Sequence, residues 1–151
     1  MRKMKNNLNQ NPDASWDALI AAAWQAREKA YAPYSGFQVG AAVQTADGAI
    51  YGGCNIENVS YGLTNCAERT AMFCAIADGK RELVRIAVCA DTPEPVAPCG
   101  ACRQVMQELG PQMEVVLLGR EGRQVHTTVA ELLPYSFQAF PQQAEHNKGD
   151  E

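Results

Sequence analysis

Histidine is scarce in this chain, two in 151 residues, and no run of about 18 consecutive apolar residues occurs anywhere in it. The first shortage removes the commonest metal ligand. His126 falls in a short strand near the surface and His146 in the tail, where solvation rather than ligation is expected. The second argues against any membrane-spanning helix. Positive charge is also short, with Lys plus Arg 13 against Asp plus Glu 17 and a formal net charge of −4. That balance weighs against a nucleic-acid partner, whose binding rests on cations neutralising phosphates; a small neutral ligand suits it better. The opening stretch, MRKMKNNLNQNPD, lacks the apolar segment of a secretory signal, so a cytoplasmic location is expected.

Cysteine, by contrast, is present six times. In a reducing compartment such residues read as metal ligands, nucleophiles or core packing rather than a disulfide frame. Hydrophobic residues at 46% and charged residues at 20% are enough for one globular domain without staples. Residues 13–140 are expected to form that domain, with 1–12 a flexible leader and 141–151 a polar, disordered tail.

Along the chain, Asp13 or Ser15 can cap a helix whose apolar positions Trp16, Leu19, Ile20, Ala23, Trp24 and Tyr31 recur at helical spacing until Pro33. FQVGAAVQT (37–45) and AIYGGCN (49–55) flank Ala46-Asp47-Gly48, a hairpin pattern. A polar loop, 56–65, precedes a helix over 66–78 that closes at Gly79. LVRIAVCA (83–90) and EVVLLGR (114–120) are buried strands, and GACRQVMQEL (100–109) is a helix stopped by Gly110-Pro111. A short strand, RQVHT, leads into Thr128-x-x-Glu131, a capping box that opens a last turn. Strands and helices in this order predict one mixed sheet covered by helices, a three-layer α/β domain.

Chemistry concentrates in two short segments. Cys99 and Cys102, in "PCGACRQ", lie one turn apart at the start of a predicted helix. Two thiolates so spaced suit one zinc, and Cys66, at the start of another predicted helix, is the candidate third ligand. Helix N-termini favour thiolate over thiol, so two of them aimed at one point let three sulfurs converge. Three cysteines without a fourth ligand leave a position for water, as catalytic zinc requires. Glu68 stands in the same first turn, within reach of that water for acid–base work. Three thiolates around Zn²⁺ sum to −1, and Arg69 can donate to them to relieve that charge.

Plainer readings compete. Cys54, Cys74 and Cys89 read as small buried hydrophobes, although Cys54 could complete a structural four-cysteine site. A redox pair of Cys99 and Cys102 leaves Cys66-x-Glu68 without a role. Trp16 and Trp24 read as core residues of the first helix.

Cys66-Ala67-Glu68 followed by Pro98-Cys99-Gly100-Ala101-Cys102 reproduces the signature of zinc nucleoside and nucleobase deaminases. With "YAPYSGFQVGAAV", "CNIENVSYGLTNCAERTA" and "LLPYSF" in the same order, residues 16 to 140 resemble the small homotetrameric cytidine deaminases. The resemblance implies a mixed five-stranded sheet flanked by helices, one zinc per subunit, a homotetramer, and a nucleoside substrate. It implies that Asn55 and Glu57 bond the ribose hydroxyls, Phe37 packs on the pyrimidine and the Ala67 backbone lines the base pocket. It further implies that Phe137 reaches the pocket of a neighbouring subunit and that Tyr61 lies near the subunit interface. Ala97 departs from the pattern, standing where relatives often carry serine. The activity expected is zinc-dependent hydrolysis of cytidine and 2′-deoxycytidine to uridine and 2′-deoxyuridine with release of ammonia, in pyrimidine salvage. Two alternatives stand beside it: a deaminase of a cytosine-nucleoside antibiotic such as blasticidin S, and a zinc-stapled binding module without catalysis.

Overall fold

A computed structural model describes residues 14–140. The leader, the Asp13 cap, the tail and His146 lie outside those residues. Four helices, α1 (Ala14–Arg27), α2 (Ala67–Ala77), α3 (Gly100–Leu109) and α4 (Val129–Leu132), surround five strands. The strands are β1 (Val39–Thr45), β2 (Ile50–Cys54), β3 (Leu83–Ala90), β4 (Glu114–Leu118) and β5 (Gln124–Thr128). They form one sheet in the order β2-β1-β3-β4-β5, parallel only between β3 and β4. The α/β class and mixed five-stranded sheet therefore match the expectation.

Side chains alternate across the sheet, and the strands feed two cores. Ala42, Ala87, Cys89, Val116 and Leu118 face α1 and pack on Trp16, Leu19 and Ala23. Ala41, Val43, Ile86, Val88, Val115 and Leu117 face the other way, onto Ala71, Met72, Ala75, Met106 and Val129. Each fully buried large side chain, such as Leu19, Ile86 or Met106, contributes about 1.5–3 kcal/mol. Two glycines set how closely the helices approach. A Cβ on Gly40 would stand 2.1 Å from the Ala23 carbonyl oxygen of α1, and one on Gly53 would stand 2.3 Å from the Ala71 nitrogen of α2. Any side chain there would push a helix off the sheet.

Three expectations need correction. The first helix ends at Arg27, not beyond Tyr31. Tyr31 instead pairs as a bridge with Ile56, exchanging hydrogen bonds with Asn55 and Glu57, because long-range pairing outweighs its helical spacing. Cys74 is exposed rather than packed, since the buried stripe of α2 is Ala67, Glu68, Ala71, Met72 and Ala75. Trp16 is buried as expected, but Trp24 is only partly so. The capping box is present as read, with Glu131 N–H donating to Thr128 Oγ1 at 3.2 Å.

The register gathers several segments at one end of the sheet. Val39 at the start of β1 pairs with Ala90 at the end of β3, and its neighbour Gly40 pairs with Cys54 at the end of β2. The loops that leave β2 and β3 there lead into the N-termini of α2 and α3.

Candidate metal centre and active site

Cys66 is the N-cap of α2 and Cys99 the N-cap of α3, both with extended backbone. Cys102 lies one turn into α3, fully buried, and its backbone N–H donates to Cys99 Sγ at 3.4 Å. The three sulfurs lie within 4.8 Å of one another. Cys66 Sγ and Cys99 Sγ are 3.8 Å apart. Ligands on a tetrahedron with metal–sulfur bonds of about 2.3 Å stand about 3.8 Å apart, so this spacing suits one zinc. No carboxylate or histidine joins the cluster among the described residues, and Cys54 stays outside it. The four-cysteine alternative is thereby removed.

Charge is distributed to match. A hydrogen bond from Cys102 holds the Cys66 thiol down to about 5, with further help from Arg69 and Cys99 and against the pull of burial. The same bond, together with burial and the nearby Glu68, pushes Cys102 well above the usual thiol range. Cys66 is thus the thiolate of the cluster. Cys102 Sγ also lies 3.0 Å from Glu68 Oε2, so its single proton stands between the Cys66 thiolate and the carboxyl. Arg69 Nη2 donates to Cys66 Sγ at 3.2 Å, as the sequence suggested. Its Nε, among the described residues, is a buried side-chain polar atom with no hydrogen-bond partner. The Arg69 guanidinium, bonded to Cys66 Sγ through Nη2, is the charge relief a metal held by three sulfurs requires. Zinc therefore fits the donor set.

Glu68 is 5% exposed, and burial raises its carboxyl above the ordinary range. It faces a cavity of about 260 Å³ lined also by Phe37, Val39, Asn55, Thr64, Cys66, Ala67, Val96, Ala97 and Cys99. The structure therefore brings Phe37, Asn55, Ala67 and Glu68 together around two of the sulfurs. Asn55, buried, accepts from Val39 N–H at 2.9 Å and donates to the Phe37 carbonyl at 2.8 Å. Its side chain fixes the entry to β1 and retains one N–H and one lone pair. Val39, Thr64 and Val96 were missed in the sequence. Val39 could have been found, because it follows Phe37 at the two-residue period of a strand.

Glu57 lies next door, in a second cavity of about 410 Å³ with Tyr34, Ser35, Asn58, Tyr61 and Thr64. Thr64 lines both cavities. The Glu57 carboxylate accepts from Tyr34 N–H and Ser35 N–H, each at 3.0 Å, and from the Ser35 hydroxyl. The Ser35 hydroxyl, more than any other group, holds its carboxyl below the usual value. Tyr61 packs edge-on against Tyr34, with ring centroids 6.3 Å apart. Phe137 is in neither cavity. It lies in an exposed groove with Phe73, Leu109 and Phe140, on the α2 and α3 side.

Residues 14–118 match the family described as the cytidine and deoxycytidylate deaminase zinc-binding region. The chain belongs to that family. It is 61% identical over 122 residues to a cytidine deaminase of Halalkalibacterium halodurans, covering 80% of this chain and 92% of the relative. A cytidine deaminase of Sporosarcina psychrophila is 56% identical over 122 residues, with 80% and 90% covered. The crystal structure of a cytidine deaminase from Burkholderia pseudomallei superposes with a TM-score of 0.78 at 60% identity, over 80% of this chain and 97% of that one. Relatives this similar favour neither the antibiotic-deaminase alternative nor the non-catalytic one. The zinc-binding region and the Cys66, Cys99, Cys102 cluster together assign zinc as the cofactor. Among the described residues, no helix is long and apolar enough to cross a membrane.

Proposed function

We propose that this chain deaminates cytidine and 2′-deoxycytidine hydrolytically: water adds, ammonia leaves, and uridine or 2′-deoxyuridine remains. The observation that carries this reading is a buried Glu68 beside three converging sulfurs at the back of a base-sized cavity. When bound, zinc on Cys66, Cys99 and Cys102 supplies a Lewis acid that lowers the pKa of a coordinated water toward neutrality. Glu68 would take a proton from the attacking water and deliver it to N3 of the pyrimidine. A second proton then passes through Glu68 to the departing amine, so one carboxyl does both acid and base work. Its raised pKa suits the task, because a carboxyl in the ordinary range would hold the proton too weakly to return it.

The two adjoining cavities divide the substrate between them. The pyrimidine lies against Phe37 and the Ala67 backbone, and the sugar reaches past Thr64 toward Asn55 and Glu57. A carboxylate accepts strongly from a sugar hydroxyl and repels a phosphate brought near it, which favours nucleosides over nucleotides. Free cytosine, without a sugar, forfeits these bonds. The reading includes a cytoplasmic role in pyrimidine salvage and assembly as a homotetramer. Exposed Tyr61 (77%), Leu63 (71%), Tyr135 (106%) and Phe137 (60%) support the assembly, since so much exposed apolar surface calls for cover. In that assembly Phe137 of one subunit closes the pocket of another.

Ammonia release from purified protein tests the proposal across cytidine, 2′-deoxycytidine, cytosine and cytidine monophosphate, with and without a chelator. Turnover of both nucleosides, lost with the metal, is expected; equal kcat/KM for cytosine and cytidine would contradict the sugar contacts. Sedimentation should give four chains per particle, and a monomer that turns over at full rate would remove the Phe137 role.

A further inference from the structure

Arg103 directly follows the zinc ligand Cys102, yet it points away from the metal. Its Nε donates to the Pro98 carbonyl at 2.8 Å, and its Nη1 donates to the Leu132 carbonyl, also at 2.8 Å. Its backbone N–H takes the Cys99 carbonyl at 3.1 Å. One residue therefore holds the carbonyls of the two peptides that flank Cys99, one entering it and one leaving it. It also grips the last residue of α4, whose carbonyl has no partner within that helix. The next residue, Gln104, donates from Nε2 to the Phe137 carbonyl at 3.0 Å.

We propose that Arg103 is a positioning residue for the zinc ligand Cys99, locking the Pro98–Cys99 backbone and tying it to the C-terminal end of α4. A guanidinium suits this task because its rigid fork meets two carbonyls from different segments at once, whereas an ammonium is a single point. Both bonds are charge-assisted and partly buried, so losing them leaves two carbonyls unmatched beside the metal turn. Freed of Arg103, the Cys99 peptide can rotate and carry its sulfur away from Cys66. Because coupling between two sites is reciprocal, zinc on Cys99 also steadies residues 132–137 through the same side chain.

The inference rests on the zinc reading of the cysteine cluster and not on the identity of the substrate. Its test is zinc transfer from the loaded protein to a chromogenic chelator, followed for the natural chain, Arg103→Ala, Arg103→Lys and Gln104→Ala. Release should quicken roughly 10–100-fold in Arg103→Ala, the usual cost of losing a group that orients a ligand. Arg103→Lys should fall between, and Gln104→Ala should match the natural chain. Amide hydrogen exchange, with and without zinc, should show residues 133–137 protected by the metal in the natural chain and indifferent to it in Arg103→Ala. A lowered melting temperature with an unchanged zinc release rate would reduce Arg103 to ordinary packing and overturn the proposal. Should Arg103→Ala fail to fold, Arg103→Lys decides alone: release at the natural rate contradicts the inference. Absence of cytidine turnover would sink the deaminase reading and leave these measurements intact.

Discussion

Glu57 and Glu68 stand at the two ends of one loop-to-helix segment, and their surroundings are opposite. Glu57 faces an open cavity, and three donors from Tyr34 and Ser35 hold it charged, below the ordinary carboxyl range. Glu68, in the first turn of α2, is buried at the back of its cavity beside one thiol, and burial raises its carboxyl above the ordinary range. The same side chain thus becomes a fixed acceptor in one place and a proton carrier in the other. Burial and donor count separate the roles, and both follow from where β1 begins and β2 and β3 end.

That contrast can be broken from the buried side first. Cys102→Ala removes a sulfur and the thiol that bonds Glu68, so zinc content and turnover should both fall to background. Metal analysis alongside the ammonia assay checks this, and an active Cys102→Ala would mean that zinc is held elsewhere. The thiols sharpen the contrast next. In metal-free protein at pH 7, Cys66 is a thiolate, while burial pushes Cys89 up to about 12. Iodoacetamide should label Cys66 roughly a hundredfold faster than Cys89. Its rate should rise through pH about 5 instead of near 9, with mass spectrometry as the readout.

On the open side the effects are smaller. Glu57→Gln should raise KM for cytidine roughly tenfold, because a neutral acceptor bonds a hydroxyl more weakly, and should leave kcat largely intact. A loss confined to kcat would place Glu57 in the chemistry. Ser35→Ala takes away the main group that depresses the Glu57 pKa, so its protonation moves upward. Since the charged form binds, KM in that variant should begin to climb at a higher pH than in the natural chain as the solution is acidified. Identical pH profiles for the two proteins would show that Ser35 does not set the charge of Glu57.

Much of this was legible before folding. Strand and helix order followed from periodicity, and Cys66-x-Glu68 with Cys99 and Cys102 announced the metal, because one helical turn leaves little freedom in where the sulfurs go. Tyr31 was misassigned because its pairing partner, Ile56, is distant in the chain. Thr64 and Val96 were invisible, since they reach the cavity from loops with no periodic pattern. Arg103 carries no signal of its own in the sequence, since its Leu132 partner is 29 residues away and reaches it only once α4 is in place.

Glu68→Gln in the zinc-loaded chain tests the central claim most directly, because it keeps the size and the buried setting of the side chain and removes only its capacity to carry a proton. Zinc content and nucleoside binding should be unchanged, and kcat for cytidine should drop by roughly 10²–10⁴. A variant that keeps its zinc and releases ammonia at nearly the natural rate would contradict the account.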